Sequence, residues 1–243
     1  MDNHLITGIN LKVALMDTDY YAMQAINGYL AWDRRTRVIL LSESWRHLWE
    51  HVDSLPEAEL PDIVILDAEA FDHIGGLRDA IHRLRDRIPN VKVVCLARYA
   101  DLKRVEAAVD SGARAYLLKS EVTLHIAWAI VYGLERDLLV TSSIHRLGNR
   151  SMNRRLHEAA ILPQRREYRE LTERIRQAIE LCVVKGMPAQ LAADEMGISL
   201  HTIRSYIKEG YRILESADET IYPVEMSPQE KAFMRITRIE DEG

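Results

Sequence analysis

Pro61-Asp-Ile-Val-Ile-Leu-Asp67 decides the fold. It is an apolar, β-branched run that ends in one carboxylate. A short continuous run of this kind reads as a strand buried on both faces of a parallel sheet. In such sheets, ligands and chemistry lie just outside the carboxyl ends of the strands, so Asp67 falls at the functional edge. Three more runs end in or near chemically useful residues. Val13-Ala-Leu-Met-Asp17-Thr18-Asp19 closes on acids, Val91-Lys-Val-Val-Cys-Leu-Ala97 on a small residue, and Ala115-Tyr-Leu-Leu-Lys119 on an amine.

Between these runs the apolar period changes to that of helices. Helical patterns cover Tyr20–Trp32, Trp45–Val52, Leu77–Arg87, Asp101–Ser111 and Val122–Arg136, with Gly112 placed to end the fourth, and Arg37–Ser42 is a further short strand. Strands alternating with helices imply a parallel sheet with crossover helices. Five such units make an α/β, flavodoxin-like (βα)5 domain over residues 1–141.

Residues 142–168, with Ser142-Ser143, Gly148-Asn149, several arginines and Pro163, read as a linker holding a short helix near Asn153–Ala160. Residues 169–216 are helical throughout: Leu171–Val184, Ala189–Met196 and Leu200–Leu214, with Gly197-Ile-Ser199 as a tight turn. Residues 217–243 form an acidic tail in which Ser227-Pro-Gln-Glu230 has capping-box spacing ahead of a short helix.

Charge divides along the same lines. The net formal charge is −5 over residues 1–141, +4 over 142–215 and −4 over 216–243. A basic middle segment between acidic ones points to an anionic partner for the middle. No apolar run approaches the roughly 20 residues of a membrane span. Cys95 and Cys182 lie far apart in apolar runs, which fits buried thiols in a reducing, cytoplasmic setting. A Gly-rich phosphate loop, a nucleophile elbow and a CxxC pair are all missing, so an independent enzyme is not expected. His47 and His51 have i, i+4 spacing but lack a third ligand, and read as surface residues.

The strand ends and the segment Gly112-Ala-Arg-Ala-Tyr-Leu-Leu-Lys119 resemble the receiver domain of bacterial response regulators. The resemblance implies Asp67 as phospho-acceptor, Asp17 as an acid that with Asp67 holds Mg²⁺, Lys119 as partner of the phosphoryl group, and Tyr116 as the aromatic coupling the pocket to the output face. Three positions depart from the pattern. Thr18 stands where a second acid is expected, with Asp19 offset by one. Ala97 replaces the Ser/Thr that donates to a phosphoryl oxygen. Phe71 replaces the proline usual four residues after the acceptor. The pocket is therefore expected to be vestigial.

Gln190-Leu-Ala-Ala-Asp-Glu-Met-Gly-Ile-Ser-Leu-His-Thr-Ile-Arg-Ser-Tyr206 has the spacing of a helix-turn-helix: Ala192 where helices cross, Gly197 at the turn, Ser199 as cap. Leu171–Leu214 resembles the DNA-binding domain of the LuxR/NarL group, and its short Gly186–Leu191 loop also resembles region 4 of sigma factors. Helical spacing projects His201, Thr202, Arg204, Ser205 and Lys208 outward as candidate DNA-binding residues and turns Ile203, Ile207 and Tyr211 inward, while Gly210 weakens the helix by ~1 kcal/mol. The resemblance assigns DNA contacts to Thr202, Arg204, Ser205 and Lys208. The expected protein is a DNA-binding transcriptional regulator of the response-regulator type, a homodimer helped by an apolar face at Ile126–Val140 and reading a pseudo-palindromic site. A small ligand, a regulatory protein or dimerisation would replace phosphorylation as its switch, and the acidic tail would mask the basic helix or contact RNA polymerase. Two alternatives stand beside it: a regulator activated by phosphorylation at Asp67, and a protein-interaction adaptor with a sigma-like helical domain.

Overall fold

The computed structural model of the protein describes residues 9–218 and 220–240. The chain divides into two units, which meet in sequence at Pro163 and Gln164.

Strands of the first unit are β1 (Leu11–Met16), β2 (Thr36–Ser42), β3 (Ile63–Asp67), β4 (Lys92–Ala97), β5 (Ala115–Leu118), β6 (Leu139–Val140) and β7 (Ala160–Ile161). They form one parallel sheet in the order β2-β1-β3-β4-β5-β6-β7. Every residue of β3 is buried, as its apolar run demands. Helices α1 (Tyr20–Trp32), α2 (Trp45–Ser54), α3 (Ile74–Arg87) and α4 (Leu102–Asp110) make the crossovers. Alternate strand residues Ala14, Met16, Val64, Leu66, Val93, Cys95 and Tyr116 join one core with Leu48 of α2, Leu77, Ile81 and Leu84 of α3, and Val105 and Val109 of α4. Each large apolar side chain buried in this way contributes about 1.5–3 kcal/mol. Gly112 follows α4 with φ of 95°, a conformation that favours glycine, and Arg85 Nη1 donates to the carbonyl of Ser111 beside it (2.8 Å).

The expected fifth helix, Val122–Arg136, is broken. A single turn, α5 (Lys119–Val122), stops at Thr123, whose φ is 39°, and α6 (Ile126–Gly133) follows. Leu139 and Val140, read as part of an apolar stretch for dimerisation, instead form β6 and pair with Ala115 and Tyr116.

The expected linker also folds into this unit as far as Pro163. α7 (Ser142–Gly148) and α8 (Arg154–His157) lead to β7. Arg155 fastens the segment: its guanidinium donates to the carbonyls of Val109 (2.6 Å), Ala113 (3.2 Å) and Asp137 (2.9 Å) and to the Asp137 carboxylate (2.8 Å). Asn153 reaches Asp110 at 2.6 Å and Ser151 reaches Glu106 at 2.5 Å. Arg155, which looked like linker charge, is a staple, and Ile144 and Leu156 fill the sheet's main core.

The second unit holds α9 (Glu173–Ile179), which continues as a π-helical turn over Glu180–Val184, then α10 (Ala189–Met196), α11 (Leu200–Ser216) and α12 (Pro228–Ile236). α12 begins with the expected capping box, Ser227 and Glu230 bonding each other's backbone. The region expected to be a free acidic tail is otherwise folded. Tyr222, Met226, Phe233 and Ile236 are buried, and Ile239 bridges to Arg165. Asp218, at the end of α11, organises it: Arg238 Nη1 (2.6 Å), Thr220 Oγ1 (2.6 Å) and Tyr222 Oη (3.0 Å) all donate to its carboxylate. Burial pushes the Asp218 carboxyl up, but these bonds and the Arg238 charge outweigh it and hold the group below its ordinary value. Residues 1–8, Glu219 and 241–243 of the expected receiver and tail segments lie outside the described residues.

Candidate functional sites: an acid pocket and a helix-turn-helix

The carboxyl ends of β1, β3 and β5 bring Asp17, Asp67 and Lys119 together, as the sequence implied. Lys119 Nζ lies 2.6 Å from Asp17 Oδ2 and 3.5 Å from Asp67 Oδ1. Both acids are buried and the lysine nearly so, with a side chain 15% exposed. Burial raises the Asp17 carboxyl above its ordinary value, against the pull of Lys119. The ammonium ion therefore sits between the two carboxylates as their internal counter-ion.

Thr18 and Asp19 take roles other than those the acid-pair comparison assigned. Thr18 Oγ1 donates to Asp67 Oδ2 at 2.8 Å. Asp19 is the N-cap of α1: its Oδ1 accepts from the backbone of Tyr21 (3.0 Å) and Ala22 (3.1 Å), so one carboxylate oxygen serves helix donors. Its own backbone N–H donates to Asp17 Oδ1 at 2.9 Å. Ala97 is fully buried at the end of β4 and offers no hydroxyl.

Glu69 is a site residue that sequence reading missed. Its carboxylate accepts from the backbone N–H of Arg98 (2.9 and 3.0 Å) and Tyr99 (3.1 Å), in the loop after β4. Arg104 of α4 donates back to the carbonyls of Ala68 (2.5 Å) and Phe71 (3.1 Å). Tyr116 is fully buried beneath, with its hydroxyl unpaired and pushed far up by burial. Beside Lys119 a mostly apolar pocket of about 160 Å³ opens between Ile26 and Tyr29 of α1, Leu96, Val122 and Ile126. The described residues contain no group of three or more His, Cys, Asp or Glu side chains placed to hold a metal ion. Cys95 and Cys182 are buried and free; burial alone pushes the Cys95 thiol up to about 12.

In the helical unit, Gly197 adopts φ of 63° at the end of α10, and Ser199 Oγ caps α11 by accepting from Thr202 N (3.0 Å). Ala178, Leu181, Ala192, Ala193, Met196 and Ile203 form the core beneath. His201, Arg204, Ser205 and Lys208 are exposed on α11, and Thr202 is half-buried with its hydroxyl 2.8 Å from that of Ser199. The inward stripe differs from the expected Ile203–Ile207–Tyr211. Ile203, Gly210, Ile213 and Leu214 are buried, while Ile207 and Tyr211 are half-buried, because a helix of 3.6 residues per turn drifts from a strict i+4 ladder. Gly210 is where α11 meets α9: a Cβ there would lie 2.6 Å from Cγ1 and Cδ1 of Ile179. The glycine is a packing requirement as well as a propensity penalty.

Comparison with known proteins gives a consistent picture. The family model described as "Sigma-70, region 4" matches residues 166–214. The response regulator protein VraR of Staphylococcus saprophyticus is 27% identical over 210 residues, covering 86% of this chain and 93% of that protein. VraR of Staphylococcus aureus is 25% identical over 218 residues, covering 87% and 94%. Among solved structures, the RcsB response regulator of Salmonella typhimurium is similar with a TM-score of 0.50 and 16% identity, covering 93% of this chain and 99% of that one. A structure of the two-component response regulator RcsB in complex with DNA gives a TM-score of 0.50, 16% identity and coverage of 93% and 98%.

Proposed function

We propose that this chain, a homologue of response regulators with a receiver-type unit and a sigma-70 region 4 helix-turn-helix unit, is a LuxR-type DNA-binding regulator of transcription that works without phosphorylation of Asp67. The observation that carries the DNA reading is α11. Its inner face is sealed by Ile203, Gly210, Ile213 and Leu214, and its outer face presents His201, Arg204, Ser205 and Lys208. A helix built this way enters a major groove, with arginine and lysine suited to guanine edges and phosphates. The solved RcsB–DNA complex is a precedent for such a chain on DNA. A homodimer on a pseudo-palindromic site is the matching arrangement.

The receiver-type pocket supports control by other means. Mg²⁺ needs near-octahedral oxygen ligands. Here Asp17 and Asp67 share Lys119, Asp67 also takes the Thr18 hydroxyl, and Asp19 caps a helix. That donor set does not fit the ion, and Ala97 gives a phosphoryl oxygen nothing to bond. The apolar pocket beside Lys119 has room for a small ligand.

Selection of genomic fragments by the purified, unphosphorylated full-length protein tests the reading, followed by affinity measurements at fixed salt. Sequence-specific selection is the expected result. If no fragment is selected by the full chain or by a 164–243 fragment, the DNA assignment falls and the adaptor reading replaces it.

A further inference from the structure

A phosphoryl group on Asp67 would bring three anionic oxygens to the carboxyl edge of the sheet, and each would need donors. The donors near that edge include the Lys119 ammonium, the Thr18 hydroxyl and backbone N–H groups of the loops after β3 and β4. Lys119 is shared between Asp17 and Asp67, and Thr18 is bonded to Asp67. The loop donors after β4, Arg98 N and Tyr99 N, are both taken by the Glu69 carboxylate at 2.9 to 3.1 Å. Glu69 stands only two residues past Asp67, and its own N–H donates to Asp67 Oδ1 (3.3 Å). Its side chain is 17% exposed, and the Arg98 guanidinium lies 3.9 Å from it.

We propose that Glu69 is a built-in anion that fastens the loop after β4 to the loop after β3 in place of a phosphoryl group. The inference rests on the phosphorylation-independent reading above and supplies its device. A carboxylate receiving two convergent backbone N–H groups makes charge-assisted bonds, the kind that order a loop. Arg104 completes the clasp from the other side by donating to Ala68 and Phe71, so each loop holds the other. An anion at Asp67 that sought the Arg98 and Tyr99 amides would have to displace Glu69 from them. Glu69 is thus a positioning residue: it sets the loop and reacts with nothing.

Site-resolved amide hydrogen exchange on the full-length protein tests this, with wild type, Glu69→Ala and Glu69→Gln compared. The expected result is exchange at Arg98 and Tyr99 at least tenfold faster in Glu69→Ala, with Glu69→Gln intermediate because it keeps an uncharged acceptor. Amides of β3 and α3 and the unfolding temperature should stay near wild type, which a general loosening of the fold would not allow. Unchanged exchange at Arg98 and Tyr99 in Glu69→Ala overturns the proposal. Should that variant fail to fold, Glu69→Gln decides, and wild-type rates in it overturn the proposal equally. A separate incubation of wild type with acetyl phosphate and Mg²⁺, read by mass, examines the parent reading. Phosphoryl gain there, lost in Asp67→Asn, sinks phosphorylation-independence whatever the exchange shows.

Discussion

The Thr18 hydroxyl donates to the Asp67 carboxylate at 2.8 Å, which ties the end of β1 to the end of β3 through a neutral donor at the position where a receiver carries an acid. That bond holds Asp67 as a hydrogen-bond acceptor, already paired on both oxygens. Thr18→Asp replaces the donor with a like charge next to two carboxylates that share one ammonium. The variant is expected to bind Mg²⁺ and to gain one phosphoryl mass from acetyl phosphate at least tenfold faster than wild type. Equal rates in the two proteins would show that Thr18 does not limit the pocket.

Arg204→Ala and Lys208→Ala are expected to weaken DNA binding in distinguishable ways. Loss of a guanine contact costs about 1–3 kcal/mol and relaxes specificity at one base. Loss of a phosphate contact weakens all sequences alike and lowers the salt slope by about 1. Titrations against a selected fragment at several salt concentrations separate the two. Undiminished affinity in the double variant would remove α11 from the interface.

Gly210→Ala discriminates propensity from packing. Propensity alone would stabilise α11 by about 1 kcal/mol. A methyl group 2.6 Å from Ile179 carbons overpacks the junction with α9 and costs about 1–3 kcal/mol. Denaturant unfolding should therefore show a net loss, and a gain would mean that α9 yields freely.

The strand at Asp67 was legible because a continuous apolar run has few other homes, and the helix-turn-helix because its turn glycine, cap and small crossing residue have fixed spacing. β6 and β7 were not, since two residues carry no period. Leu139 and Val140 looked like part of an apolar stretch open to dimerisation, and only their pairing with β5 shows otherwise. Arg155 resembled linker charge because a staple to backbone carbonyls leaves no trace in sequence. Asp19 did carry a cap signal, an acid directly before a helical apolar run, but it competed with a metal-ligand reading at the same strand end. Glu69 is an ordinary acid in sequence, and only the fold brings the loop after β4 to it.

The folding of residues 142–163 onto the sheet predicts a fragment boundary. A 1–141 fragment lacks Ile144 and Leu156 from the main core and Arg155 from the loop after α4. It is expected to be markedly less stable than a 1–163 fragment, which should unfold cooperatively. Matching unfolding midpoints for the two would show that the added strands contribute little.

Asp218 predicts an acid sensitivity of the helical unit. Its carboxyl is held below the ordinary value of 3.8, so its contribution to stability is complete above that pH and is lost as pH falls through the lower, folded value. Asp218→Asn should cost about 3–5 kcal/mol near neutrality, because it removes the buried negative charge that Arg238 and Arg235 share. The gap between variant and wild type should narrow below pH 3.8. A gap independent of pH would place the acid response elsewhere.

The two borders of the parallel sheet carry one more consequence. One border is β7, which offers a neighbouring molecule only two residues of open backbone. The other is β2, where the pairing with β1 slips from Val13↔Val38 to Ala14↔Leu40 and leaves Ile39 out of step. A brief rim on one side and a kinked rim on the other give an incoming strand no straight row of donors and acceptors to copy. Edge-to-edge polymerisation, the standing hazard of open sheets, is disfavoured at both margins by backbone geometry.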